Sequence, residues 1–106
     1  MNTKHQIAFE VTTDPEGRTV ISASGRVDLQ TGPKLRRQVD ELARPGQTLV
    51  IDLRDVSYMD SPGLGTIIYC DRLQRERGGR LVVKNPNGEV RELFDVVQLA
   101  NIIAIE

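Results

Sequence analysis

The chain has 106 residues, of which 39% are hydrophobic, and 14 Lys and Arg stand against 15 Asp and Glu. This length predicts one domain over residues 1–106, and the near-neutral charge gives no indication of a broad basic face for nucleic acid and favours a protein partner. No apolar run approaches the roughly 20 residues that cross a bilayer, so no membrane span is expected.

The N-terminal part of the sequence predicts a β-hairpin followed by a helix. Ile7 to Val11 alternates like a half-buried strand, Asp14 to Gly17 supplies turn chemistry, and Thr19 to Gly25 reads as a second strand. Thr31-Gly32-Pro33 is typical of a helix start, and Pro45-Gly46 ends that helix.

The rest of the chain alternates strands and helices. The apolar run from Thr48 to Leu53 is typical of a strand with both sheet faces covered, and a helix is expected from Pro62 to about Arg77. Leu81 to Val83 predicts a short strand, Asn87 a helix cap, and Ile102 to Ile105 a final strand. The order ββαβαβαβ predicts an α/β fold, a mostly parallel central sheet with an initial antiparallel strand pair and helices packed on it.

Ser61 is the candidate functional residue, because it lies where the apolar strand passes into the second helix. Pro62 fits the first helical position, and the residue before a proline favours extended backbone, so Ser61 is predicted to be the N-cap. A phosphate on this serine would lie near free helix N–H groups, so the fold should survive the modification. Capping alone and a charge-dependent switch are the two interpretations of this serine.

Asp60 and Asp28 are the acidic candidates beside this serine. Asp60 adjoins it in sequence, and Asp28 follows the second strand at the same end of the sheet, so both are expected to line one site. They could orient the serine hydroxyl or pair with a basic partner residue. The alternative is loop capping, in which Asp28 to Thr31 forms an Asx turn into the first helix. Neither aspartate indicates a metal site.

Gly63, Leu64 and Gly65 are predicted to be close-packing positions, because Gly-Leu-Gly lacks the spacing and the lysine of a phosphate-binding loop. Glycine costs a helix about 1 kcal/mol against alanine, so Gly65 indicates backbone approach by a partner or by the neighbouring strand. Leu64 is expected to be an exposed contact. For Tyr58 and Met59 a core role is favoured over a binding role.

Cysteine and histidine usage argues against catalysis and against metal binding. Cys70 is the only cysteine, which excludes an internal disulfide and predicts a reduced, buried thiol in a cytoplasmic protein. His5 is the only histidine and lies near an N-terminus that is expected to fray. It cannot supply an oriented base, so a hydrolase with Ser61 as nucleophile is disfavoured, and neither enzyme activity nor a cofactor is expected.

Four segments carry a resemblance over nearly the whole chain: Ser24 to Asp28, Val50 to Leu53, Tyr58 to Gly65, and Glu92 to Asp95. Together they resemble the STAS domain, in particular the bacterial anti-sigma-factor antagonists. The most specific parts are Asp-Ser-Pro-Gly-Leu-Gly after an apolar strand and Gly-Arg-Val-Asp upstream at the matching distance.

The resemblance implies a partner switch. A partner that is both an anti-sigma factor and a serine kinase phosphorylates Ser61, and only the unphosphorylated form binds that partner and so releases a sigma factor. A serine phosphatase is implied as the opposing partner, and the sequence leaves a weak homodimer open. The residues expected to bind the partner are Asp28, Asp60, Ser61, Pro62, Gly63, Leu64 and Gly65.

The sequence departs from the family pattern in two places. Pro62 stands where serine or threonine is common, so any phosphorylation depends on Ser61. Similar domains usually continue into another helix beyond the position of Glu106, so part of the sheet or of the third helix is expected to be less covered. The alternative function is a non-phosphorylated STAS accessory or scaffold subunit, either transporter-associated or stressosome-like.

Overall fold

The strands form one five-stranded sheet in the order β1-β2-β3-β4-β5 in a computed structural model that describes residues 6–106. The strands are β1 Ile7–Thr13, β2 Thr19–Val27, β3 Thr48–Met59, β4 Arg80–Lys84 and β5 Ala104–Ile105. The helices are α1 Gly32–Leu42, α2 Ser61–Glu76 and α3 Gly88–Val96, and a 3-10 turn follows at Leu99–Asn101. Only β1 and β2 pair antiparallel, so the predicted order and the mostly parallel sheet are confirmed. His5 lies outside the described residues.

The main core lies between one face of the sheet and the three helices. Its largest fully buried side chains include Ile21, Leu35, Leu49, Ile51, Leu53, Ile67, Leu81 and Phe94. A smaller cluster of Val20, Val50 and Val82, with Ala104 against it, lies on the opposite face. β3 is therefore buried on both faces near Val50, as predicted, although the core residues of the helices all belong to the first cluster.

β3 is longer than the sequence predicted, because it ends at Met59 rather than Leu53. Its polar second half stays in the sheet by pairing with the end of β2, across two register shifts. Gly25 makes this possible: its φ is +105°, and a Cβ there would lie 2.4 Å from the carbonyl oxygen of Gln6 in the chain before β1. The extension carries β2 and β3 together to the edge where α1 and α2 begin.

Two predicted features of the C-terminal part are wrong. Asn87 precedes α3, but its side-chain amide donates to the carbonyl of Arg54 and does not cap the helix. The last strand is only Ala104–Ile105, because the amides of Ile102 and Ile103 both donate to the carbonyl of Leu99 and continue the 3-10 turn. Among residues 6–106, no helix combines the length and the apolar composition that a membrane span requires.

Candidate functional site

The ends of β2 and β3 bring the two aspartates to one edge of the sheet. Val27 lies opposite Met59 in the parallel register, and the amide of Asp60 donates to the carbonyl of Val27 at 3.4 Å. Asp28 and Asp60 are the next residues along each strand, so each lies just before a helix at the carboxyl edge of the sheet. This is the edge at which α/β folds usually bind their ligands and partners.

Asp60, and not Ser61, is the N-cap of α2. Its backbone is extended, with φ −104° and ψ −176°, and its Oδ1 accepts the amide of Gly63 at 2.8 Å. The prediction of Ser61 as the cap is wrong, because a carboxylate one residue earlier satisfies the helix N-terminus with an additional favourable charge. This charge-assisted cap outweighs the bias against helical backbone before Pro62, and Ser61 becomes the first helical residue.

Ser61 is therefore not needed to cap α2. Its side chain is exposed, and its Oγ makes no hydrogen bond to any residue in the described part of the chain. The free amides expected beside it are largely absent, because Pro62 has none and the amides of Gly63 and Leu64 both donate to Asp60. A phosphate at this position would stand next to the capping carboxylate.

Asp28 folds the loop between β2 and α1. Its Oδ1 accepts the amides of Gln30 and Thr31, both at 2.9 Å, which is the predicted Asx turn. Thr31 Oγ1 accepts the amide of Asp28 at 2.9 Å and donates to the carbonyl of Arg26 at 2.7 Å. Asp28 is 3% exposed and Thr31 fully buried, so these hydrogen bonds tie the loop together and the Asp28 carboxylate faces inward.

The three residues after Pro62 have three different surroundings. A Cβ on Gly63 would lie 2.0 Å from the carbonyl oxygen of Val27, which confirms close packing there. Leu64 is 9% exposed and belongs to the core, so its predicted role as an exposed contact is wrong. Gly65 is exposed, and a Cβ there would meet nothing within 4 Å. The close packing predicted for Gly65 is therefore wrong, and the neighbouring strand does not explain this glycine.

Two tyrosine rings near this edge each lie against the guanidinium group of an arginine. The guanidinium of Arg26 lies 4.0 Å from the ring centroid of the half-buried Tyr58, and that of Arg36 lies 4.5 Å from the ring centroid of Tyr69. Met59 is buried in the core, as predicted. The sequence reasoning missed the arginines, because only the fold shows which ring each guanidinium reaches.

The thiol of Cys70, on α2, is unreactive. Burial raises the pKa of the Cys70 thiol to about 12, although the nearby charge of Arg36 acts in the opposite direction. The thiol therefore stays protonated at neutral pH and is a poor nucleophile. Within residues 6–106 no three His, Cys, Asp or Glu side chains are grouped so that they could hold a metal ion.

Comparison with known proteins identifies the family. The family model described as "Mlab, STAS domain" matches residues 11–104 of the chain. This protein therefore belongs to the STAS domain family, as its motifs predicted.

Relatives with a curated name come from Bacillus subtilis and Listeria monocytogenes, and both are called anti-sigma-B factor antagonist. The first is 38% identical over 85 residues, which cover 80% of this chain and 78% of the relative. The second is 32% identical over 101 residues, which cover 94% of this chain and 89% of the relative. A crystal structure of an anti-sigma factor antagonist from Mycobacterium paratuberculosis matches with a TM-score of 0.77 and 25% identity, over 99% of this chain and 89% of that one.

Proposed function

We propose that this protein is an anti-sigma-factor antagonist whose binding is controlled by phosphorylation of Ser61. The unphosphorylated form binds an anti-sigma factor, which is also the serine kinase, and thereby releases a sigma factor in the cytoplasm. A serine phosphatase restores the binding form, and the protein itself catalyses no reaction. The observation that carries this proposal is the exposed Ser61 hydroxyl, which has no hydrogen-bond partner among the described residues and lies directly after a cap that does not need it.

The site explains how one phosphate could abolish binding without unfolding the domain. A phosphoserine adds roughly −1.5 to −2 charge at neutral pH. The α2 cap is made by Asp60, so the helix start stays intact, and the amides of Gly63 and Leu64 in the first turn are already bonded to Asp60. The added charge therefore stays on the outer surface, where a like or unpaired charge in a docked interface costs several kcal/mol.

The predicted partner-binding residues divide into a contact layer and a supporting layer. Ser61, Pro62 and Gly65 are exposed, and Asp60 is half-buried beside them, so these four form the contact layer. The supporting layer holds that surface in position from beneath and consists of Asp28, Gly63 and Leu64.

The test is a phosphorylation assay with a candidate anti-sigma-factor kinase, sought among the neighbouring genes, ATP and Mg²⁺, followed by intact mass and peptide mapping. One added phosphate on Ser61 is expected in the wild type and none in Ser61→Ala. Ser57→Ala is the matched control, because Ser57 is also exposed but donates to the carbonyl of Gly25, and it should be phosphorylated like the wild type. Phosphate on another residue, or none with a kinase that is active on a control substrate, contradicts the proposal.

A STAS accessory subunit that is not phosphorylated is the second candidate. The matching family model favours it, because its description names Mlab and not an antagonist. This candidate predicts an unmodified Ser61 in the same incubation and equal partner affinity for the wild type and Ser61→Asp.

A further inference from the structure

A groove between α1 and α2 begins directly beside the proposed phosphorylation site. It encloses about 180 Å³, room for one apolar side chain of a partner. The lining that matters here consists of Leu29, Pro33, Arg36, Pro62, Gly65 and Tyr69. Because Pro62 follows Ser61, the groove and the serine belong to one continuous surface.

The groove is open because α2 carries a glycine where a side chain would fill it. Gly65 is exposed, and a Cβ there would have open space around it, so packing within the described chain does not require glycine. Glycine inside a helix costs about 1 kcal/mol relative to alanine. A close approach by a second molecule gives this position a reason to lack a side chain.

Apolar side chains stand exposed on both walls of the groove. Leu29 is 68% exposed and lies inside the Asx turn, whose backbone is hydrogen-bonded to Asp28. Tyr69 is 39% exposed on the α2 wall, with Arg36 over its ring. An exposed leucine on a backbone fixed by the Asx turn, beside an aromatic ring, offers an apolar contact for which little backbone entropy is lost when a partner covers it.

Positive charge surrounds this apolar centre. Arg36 and Arg37 on α1 and Arg72 on α2 are exposed, line adjoining cavities that share Tyr69, and form no ion pair within the described part of the chain. Asp28 is buried, and Asp40 is paired with Arg77 at 2.6 Å. Glu76 lies near Arg72, in the last turn of α2 and away from Ser61. Asp60 is the acidic side chain beside Ser61, and it is half-buried with its Oδ1 bonded to the amide of Gly63. The exposed charge along the groove itself is therefore basic, which favours acidic groups on the partner.

We propose that this α1–α2 groove docks an apolar side chain of the anti-sigma factor, flanked by acidic residues that pair with Arg36, Arg37 and Arg72. The inference rests on the proposed function and adds the surface and the charge of the partner. It also explains the sign of the switch, because a dianion on Ser61 repels those acidic residues and competes with them for the arginines.

The test is calorimetric titration of the unphosphorylated protein with the anti-sigma factor that phosphorylates it in the assay above, at low and at high salt. Gly65→Phe fills the groove and should weaken binding at least about tenfold, which is about 1.4 kcal/mol. Arg36→Glu should weaken binding by a similar factor at low salt and make the affinity less dependent on salt. Both positions are exposed, so both variants should fold, which circular dichroism and thermal melting verify.

Matched controls carry the same chemical changes elsewhere on the surface. Glu92→Phe adds an aromatic ring on exposed α3, and Arg80→Glu reverses a charge at the start of β4, at the sheet end away from Ser61. Both should bind like the wild type. Wild-type affinity in Gly65→Phe or Arg36→Glu, or tighter binding by Arg36→Glu, overturns the proposal that the groove docks the partner. The proposed function is still supported in that case if phosphorylation of Ser61 releases the partner. A wild type that binds no anti-sigma factor contradicts both.

Discussion

The carboxylate of Asp60 accepts the amide of Gly63 at 2.8 Å and so spans Ser61 and Pro62, which lie between them. The helix start is therefore secured by neighbours of Ser61 on either side, and the serine hydroxyl is left to the solvent. In the proposed switch, the helix cap and the phosphorylated hydroxyl belong to adjacent residues, so the surface charge can change while the start of α2 stays capped.

Asp60→Ala should lower the free energy of unfolding by about 1 kcal/mol, because it removes the cap of α2. Asp60→Asn is the matched control, since asparagine is also a good cap and lacks only the charge, so it should retain most of the stability. Ser61→Ala should change stability by less than about 0.5 kcal/mol, as expected for an exposed side chain without a partner. Urea unfolding of the three variants measures these differences. A larger loss of stability in Ser61→Ala than in Asp60→Ala would show that Ser61, and not Asp60, caps α2.

Asp60→Ala should also slow phosphorylation of Ser61 by more than its loss of stability explains, because the carboxylate adjoins the acceptor hydroxyl. The initial rate with the partner kinase is compared at a temperature where all variants are folded. Asp60→Asn separates the contribution of charge from that of the cap. Unchanged turnover in both variants would remove Asp60 from the site.

Gly63→Ala and Gly65→Ala should have opposite effects on stability. The Cβ at Gly63 would meet the carbonyl oxygen of Val27 at 2.0 Å, so the backbone must shift, at a cost of about 1–3 kcal/mol or more. The Cβ at Gly65 meets open space, so alanine should stabilise α2 by about 0.5–1 kcal/mol. Thermal melting of the pair measures both signs, and equal shifts would contradict the packing of α2 against β2.

Cys70 should resist thiol reagents in the folded protein at pH 8 and react rapidly in denaturant. Burial raises its pKa to about 12, so the folded state holds its proton more tightly than the unfolded state does. The stability due to this proton is present below the usual thiol pKa of 9.0 and is lost as the pH rises towards 12. Cys70→Ser should remove this alkaline dependence, and rapid labelling of the native wild type would show that the thiol is accessible.

Glu106 should contribute to the acid limb of stability. Its hydrogen bonds from Arg18, at 3.1 and 3.2 Å, hold the pKa of the carboxyl below its usual value. A lowered pKa means that the contribution is present above the ordinary glutamate pKa and is lost as the pH falls through the folded-state value. Glu106→Gln should therefore flatten the decline of stability in acid, as measured by thermal melting across that range. An unchanged acid limb would show that the pair is not formed in solution.

The order of the elements could be predicted because each has its own hydrophobic period and turn signals. The second half of β3 could not, since Arg54, Asp55 and Ser57 interrupt the apolar pattern, and only pairing with β2 keeps them in the sheet. The residue that caps α2 could not be predicted either, because Asp60 and Ser61 are both good capping residues. The packing of Gly63 against Val27, far away along the chain, helps to decide where α2 begins.

The site was predicted in part for a related reason. Motif residues near Ser61 are adjacent in sequence, so the segment from Asp60 to Gly65 could be identified directly. The groove combines Leu29 from one loop with Gly65 and Tyr69 from another helix, and their distances depend on how α1 packs against α2. A short sequence motif therefore cannot indicate such a surface.

The central claim is tested most directly by the affinity of one anti-sigma factor for wild type, phosphorylated wild type, Ser61→Ala and Ser61→Asp, measured in a single titration series. Wild type and Ser61→Ala should bind equally, and Ser61→Asp should bind at least about tenfold more weakly, which corresponds to 1.4 kcal/mol or more. The phosphorylated form should bind more weakly still, because its charge is larger. Equal affinities for all four forms would contradict the switch.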